Sequence, residues 1–170
     1  MISFSMNGLK TAALSVLIIT GAATGSSAES NRISIQQFGT LHSLGIGQNG
    51  QANRLNIIQR GQGNLSVQMQ DGRRNGTTID QTGRWNSAAT SQNGRLNTTV
   101  VGQQGRGHSA ATAQAGSNNI LGVAQFGQNN NANVAQNGRN NAVGVIQAGN
   151  GNTANTRQYG RGNIVVIVQD

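Results

Sequence analysis

Gln81-Thr-Gly83-Arg-Trp-Asn86-Ser-Ala-Ala-Thr-Ser-Gln92 is the unit from which this chain is built. Gly follows the first Gln by two places, Asn follows Gly by three, and Gln returns after eleven residues. Stepping by eleven in both directions finds Gln37, Gln48, Gln59, Gln70, Gln81, Gln92, Gln103, Gln114, Gln125, Gln136, Gln147, Gln158 and Gln169, 13 of the 19 glutamines. Gly fills all twelve slots two residues later, from Gly39 to Gly160. The next marked slot holds Asn53, Asn64, Asn75, Asn86, Asn97, Asn119, Asn130, Asn141, Asn152 and Asn163, with His42 and His108 as substitutes. Asn31 already stands in step ahead of the first Gln. A fixed period without insertions is the signature of a repeat architecture.

Five residues separate each Asn from the next Gln, and they alternate. The second of them is Leu55, Ala88 or Leu121, for example, and the fourth is β-branched in every unit except that of Gln68. Side chains alternate between the two faces of a strand, so Asn, these two positions and Gln share one face. Period-two alternation with β-branched enrichment predicts a strand in each unit. The opposite face is mixed (Arg54, Asn56, Ser87, Ala124, Asn155) and belongs to solvent. The x-Gly-x-x stretch after each Gln is the corner, and Asn49-Gly50, Asn93-Gly94 and Asn137-Gly138 are turn-forming pairs.

Composition bounds what can hold such strands together. Ile, Leu, Val and Phe are only 28 of residues 29–170, and the chain has neither Cys nor Pro. That is a level at which a chain normally cannot bury enough apolar surface to fold alone. Residues 1–28 read as a secretory signal peptide: Lys10 is their one charge, Ala12–Ile19 is mostly apolar, and Ser26-Ser27-Ala28 is a small-residue cleavage site. The stretch is too short for a membrane span, so no membrane-spanning segment is expected in the mature chain, 29–170.

The expected fold is all-β: a β-solenoid of eleven-residue strand–turn units, two per coil, about six and a half coils in all. An antiparallel meander also uses Asn-Gly turns, but it gains nothing from strict repetition. Parallel stacking sets residue i over i+22, Gln on Gln and Asn on Asn. Like amides then form ladders, each donating to the copy above and accepting from the copy below. Such ladders answer the cost of burying an amide.

Gln-x-Gly-x-x-Asn with Gln six residues after the Asn resembles the curlin repeat, over residues 31–170 and in twelve tandem copies. The resemblance implies a subunit of curli, the extracellular amyloid fibres of bacteria, serving cell adhesion and biofilm matrix. Its implied route is through the periplasm to the cell surface, with a curli-type outer-membrane secretion channel and chaperones as partners. It also implies assembly with itself and with another curlin subunit. Even spacing by eleven, a basic balance and stretches such as Ile79-Asp80-Gln81-Thr82-Gly83 are similar to the minor curlin that nucleates fibres. The apolar last unit, Ile164–Val168, departs from that pattern, and major against minor subunit stays open.

Several features bear on function independently. The end strands, Arg32–Gln37 and Ile164–Gln169, carry none of the Pro, Lys or bulges with which soluble proteins hide strand edges. Ile164–Gln169 is apolar on both faces, the pattern of an aggregation-competent segment. Head-to-tail contact that does not close on itself makes a filament, so templated strand addition is the expected mechanism. Arg73, Arg84, Arg95, Arg106, Arg139 and Arg161 share one corner position and form a candidate stripe for polyanions such as extracellular DNA or acidic polysaccharide. The alternative of solvated turns is the blander account of the same residues.

No catalytic constellation can be assembled from the four acids and two His, no metal or cofactor site is expected, and the Gly-x-Gly strings open no helix. A monomeric β-solenoid binding module for ice or glycans is the competing class. Ice binding asks for a flat regular outer array, and Arg32, Ser43, Arg54, Leu65, Gly76, Ser87, Thr98 is not one.

Overall fold

The computed structural model describes residues 31–170 in full and, before them, only the backbones of Ser3–Phe4 and Val16–Ala22. The remainder of the expected leader, with its cut at Ala28/Glu29, lies outside the described residues.

The strands are β1 (Ser3–Phe4), β2 (Val16–Ala22), β3 (Arg32–Thr40), β4 (Ser43–Gln51), β5 (Arg54–Gln62), β6 (Leu65–Arg73), β7 (Gly76–Arg84) and β8 (Ser87–Arg95). They continue as β9 (Thr98–Arg106), β10 (Ser109–Ser117), β11 (Ile120–Gln128), β12 (Asn131–Arg139), β13 (Ala142–Gln147), β14 (Thr153–Arg161) and β15 (Ile164–Gln169). Odd-numbered strands form one sheet and even-numbered strands the other, each in chain order. All pairs are parallel, with Gln81 beside Gln103 and Gly83 beside Gly105. The fold is a β-solenoid, two strands per coil, with no helix among the described residues.

From β4 to β14 the strands bury alternate residues against the facing sheet. The two sheets contribute unequal halves. The odd sheet supplies the bulk: Leu55, Ile57, Ile79, Val101, Leu121, Val123, Val143 and Val145 are buried. Opposite them the even sheet places mostly small or polar groups: Ser66, Ala88, Thr90, Ala110, Thr112, Ala132 and Ala154. Large side chains facing small ones fill a thin core at native density. The few aliphatic residues suffice because the backbone ladders and buried amides carry the rest.

The corner has a feature the repeat pattern did not announce. The residue just before each Asn slot is left-handed, and at eight places it is not Gly: Leu41, Ala52, Arg74, Trp85, Leu96, Asn118, Asn129 and Asn140, with φ of 54–59°. Left-handed backbone at such residues costs of order 1 kcal/mol each. It persists because the Asn that follows, and the N–H groups bonded across coils such as Trp85 N–H to Gln62 O (2.9 Å), hold the turn in place.

Candidate functional site

The buried Gln columns run through the whole rod. On the odd side Nε2 of Gln37, Gln59, Gln81, Gln103, Gln125 and Gln147 each donates to Oε1 of the Gln 22 residues on, at 2.7–2.9 Å. On the even side Gln48, Gln70, Gln92, Gln114 and Gln136 do the same at 2.6–3.0 Å. The second N–H of most glutamines goes to a backbone carbonyl on the facing side, as Gln81 does to Leu65 O at 2.9 Å. Every link points the same way, with Oε1 towards the N-terminal end and Nε2 towards the C-terminal end. The ladder therefore has polarity.

Asn makes the amide-on-amide link expected of it from Asn119 Nδ2 to Asn97 Oδ1, at 3.2 Å, but its main partners are backbone groups. Asn75 Oδ1 accepts the backbone N–H of Asn97 at 3.1 Å, and its Nδ2 donates to Asp71 O and Gly94 O at 3.0 and 3.1 Å. Asn53, Asn64, Asn86, Asn97 and Asn119 bond the same way, tying their own coil to the next. Asn130 repeats the full set, Asn141 bonds to Gly160 O, and Asn152 and Asn163 to Ala148 O and Tyr159 O. The reason is corner geometry: the left-handed residue before it aims the short Asn at backbone, whereas the longer Gln reaches its own copy.

The two histidines are mimics of that Asn. His42 Nδ1 accepts the Asn64 N–H and His108 Nδ1 the Asn130 N–H, both at 3.3 Å. Nε2 then carries the proton and donates to Phe38 O (3.1 Å) or Gln104 O (3.2 Å). Both rings are buried. Burial holds the pKa of His108 below 6.5, against a smaller upward pull from its hydrogen bonds to Gln104 and Gly127. Among the described residues no three His, Cys, Asp or Glu come together.

Side-chain links also cross between the sheets. Thr77 Oγ1 accepts from Gln68 Nε2 (2.9 Å) and Gln70 Nε2 (3.1 Å) and donates to Gln92 Oε1 (2.9 Å). Gln68 is wholly buried, and its Oε1 has no hydrogen-bond partner among the described residues.

Outside, the six corner arginines are exposed and line two edges. Arg73 neighbours Arg95, Arg139 neighbours Arg161, and Arg84 neighbours Arg106, while Ser117 separates Arg95 from Arg139. None of the six is ion-paired among the described residues, where Arg60–Asp80 at 3.3 Å is the one salt bridge. The odd sheet's outer face changes character along the rod. Its early strands carry Arg32, Arg54, Arg60 and Asp80, with one exposed ring, Phe38, under the Arg60 guanidinium at 5.8 Å; its late strands carry Val100, Ile120, Phe126, Ile146, Ile164, Val166 and Val168, all exposed.

Among the described residues no strand lies beyond β14 and β15, and Gln158 and Gln169 each keep a side-chain N–H without a partner. At the other end the edges of β3 and β4 are lined by the backbones of β1 and β2. There Gln48 Oε1 is buried and has no donor among the described residues.

These edges, ladders and corners repeat one unit throughout. No curated protein matches the sequence. The family model of the curlin associated repeat matches residues 72–105 and 127–160. The parallel strands stacked throughout on that repeat, together with these matches, support a curli-type structural subunit.

Proposed function

We propose that the chain is an extracellular amyloid fibre subunit that grows head to tail by templated strand addition, serving cell adhesion and biofilm matrix. The observation that carries this is the open C-terminal edge. There β14 and β15 offer unpaired backbone and two amide ladders whose donors point outward. An incoming copy extends every ladder by the same step of about 4.8 Å. Its ordering cost of ~1–2 kcal/mol per residue is met as each strand docks, which makes an existing end a far better nucleus than free solution. Residues 1–28 act as the export leader, and the exposed arginine pairs bind matrix polyanions.

The test is polymerisation of the exported chain. Expected are a lag abolished by sonicated seeds, dye binding, and fibre diffraction with a meridional reflection near ~4.8 Å and parallel strands. A solution that stays monomeric for days with seeds present would rule the reading out. The basic, evenly spaced repeat favours a nucleating role as a second reading. Catalytic amounts should then abolish the lag of another curlin subunit, and an unchanged lag would restrict this chain to bulk fibre.

A further inference from the structure

Residues 31–170 form thirteen strands, seven on the odd sheet and six on the even sheet. Each strand stands half a coil above the one before it, so β15, the last described strand, stands half a coil above β14 on the opposite side. A copy added in the same orientation sets its β3 on β15. Its β4 then lies two steps above β14, and one strand is missing from that sheet. A copy turned by half a revolution about the rod axis sets β3 on β14 and β4 on β15 and leaves no gap. We infer that successive subunits are related by a two-fold screw, so that each sheet of the fibre is built alternately from odd and even strands. The contact rests on the head-to-tail growth proposed above.

Two linked observations at the N-terminal edge fit this contact. The first is the orphaned acceptor. In the rotated stack β15 lies along β4 in the order Ile164 by Ser43 through Gln169 by Gln48, and Gln169 Nε2 supplies the donor that Gln48 Oε1 lacks. Gln158 meets Gln37 in the other column, and both ladders run on unbroken. In the unrotated stack Gln169 meets Gln37, and Gln48 Oε1 gains no donor from the neighbouring copy.

The second observation is the leader. Its backbone pairs with β4 from Val16 by Ser43 to Gly21 by Gln48. Those are the six positions that β15 of a preceding copy needs. The leader strand is thus a place-holder on the assembly edge, and it sets a glycine where the incoming Gln169 belongs. Removing residues 1–28 frees that edge and leaves the acceptor of Gln48 unmet, so that the exported form receives a neighbour more readily than the chain that keeps its leader.

The chain has no cysteine, so single-cysteine variants report contacts cleanly. S34C, N155C and V166C lie on outer faces. Each is purified after export, polymerised in equimolar pairs, pelleted and treated with a short thiol cross-linker. In the rotated stack Asn155 of one copy sits beside Ser34 of the next, within the ~4.4–6.8 Å that a short bridge spans. Covalent dimers from S34C with N155C, about tenfold above S34C with V166C, are expected. Dimers from S34C with V166C mean an unrotated stack, and dimers from V166C alone mean a tail-to-tail one; either overturns the screw, as does the absence of every dimer in pelleted fibres. Failure of the unmodified chain to pellet overturns the proposed function itself. A chain retaining residues 1–28 should elongate seeds about tenfold more slowly, and equal rates would remove the place-holder.

Discussion

A methyl group added at Gly94 would stand 2.0 Å from the carbonyl oxygen of Gly116, on backbone with φ of +120°. Neither the clash nor the angle can relax without separating two coils. Gly94→Ala is expected to lose roughly 3 kcal/mol or more and to leave little folded chain by circular dichroism. Gly160 has a similar φ, +106°, but its added methyl meets nothing nearer than Asn163 Nδ2 at 3.4 Å. Gly160→Ala should therefore fold, with a loss near ~1 kcal/mol. In the rotated stack its methyl collides with the next copy's Gly39, so the variant should be unable to extend seeds at that edge. Normal elongation by Gly160→Ala would contradict that contact.

His108 gives the residue scale its pH dependence. Its Nδ1 must stay bare to accept the Asn130 N–H, and burial lowers its pKa from 6.5. The unfolded chain takes up the proton near 6.5, so stability present above that pH is lost as pH falls below it towards the folded value. His108→Asn restores the group the repeat uses elsewhere. Urea midpoints of the two proteins should coincide at pH 8 and diverge at pH 5, with the variant the more stable. The substitution of His for Asn was visible in the sequence, but its tautomer was not. Nor were the left-handed residues before each Asn slot, because Leu41, Trp85 and Leu96 are not residues whose chemistry announces that conformation; the Gly and Asn that share the slot elsewhere were the available signal.

At the scale of the strand, the alternation of buried positions was legible because one face of each unit is buried and a strand repeats every two residues. The inequality of the sheets was also written in the sequence, but only once odd and even units are separated. Then the fourth inner position reads Ile57, Ile79, Val101, Val123, Val145 on one side and Gln68, Thr90, Thr112, Val134, Thr156 on the other. Gln68 is the largest member of the polar row, and like Thr90, Thr112 and Thr156 it has a buried oxygen without a partner among the described residues. Gln68→Val removes a buried carbonyl that lacks a donor, while Thr77 keeps its bonds to Gln70 and Gln92. A gain of about 1 kcal/mol in chemical denaturation is expected. A loss instead would mean that the Gln68–Thr77 bond at 2.9 Å outweighs the orphaned oxygen.

For the whole molecule, charge decides how readily rods add to one another. Arg73 beside Arg95 and Arg84 beside Arg106 put like charges one strand spacing apart, and each added copy brings further such pairs to both edges. Salt screens such pairs over ~10 Å at 0.1 M. Seeded growth, followed by dye fluorescence, should accelerate from low to moderate ionic strength, and Arg→Gln changes at these corners should flatten that response. The stacking order of the coils was legible from the repeat alone, since a constant period fixes every neighbour at once. The pairing of the leader was not, because Val16–Ala22 carries no trace of the repeat and meets β4 through backbone bonds that any sequence offers.

The drift of the odd sheet's outer face from Arg32 and Arg54 to Ile164, Val166 and Val168 makes each rod wettable at one end and oily at the other along a single flank. A filament of such rods is banded. With a half-revolution between neighbours, its oily bands fall alternately on two opposite flanks, so it has no bare side and can raft with others in both directions. Filaments minimise contact with water only when they slide until band meets band, and negative-stain images of the rafts should show cross-striations, one per rod length of about 31 Å or one per pair.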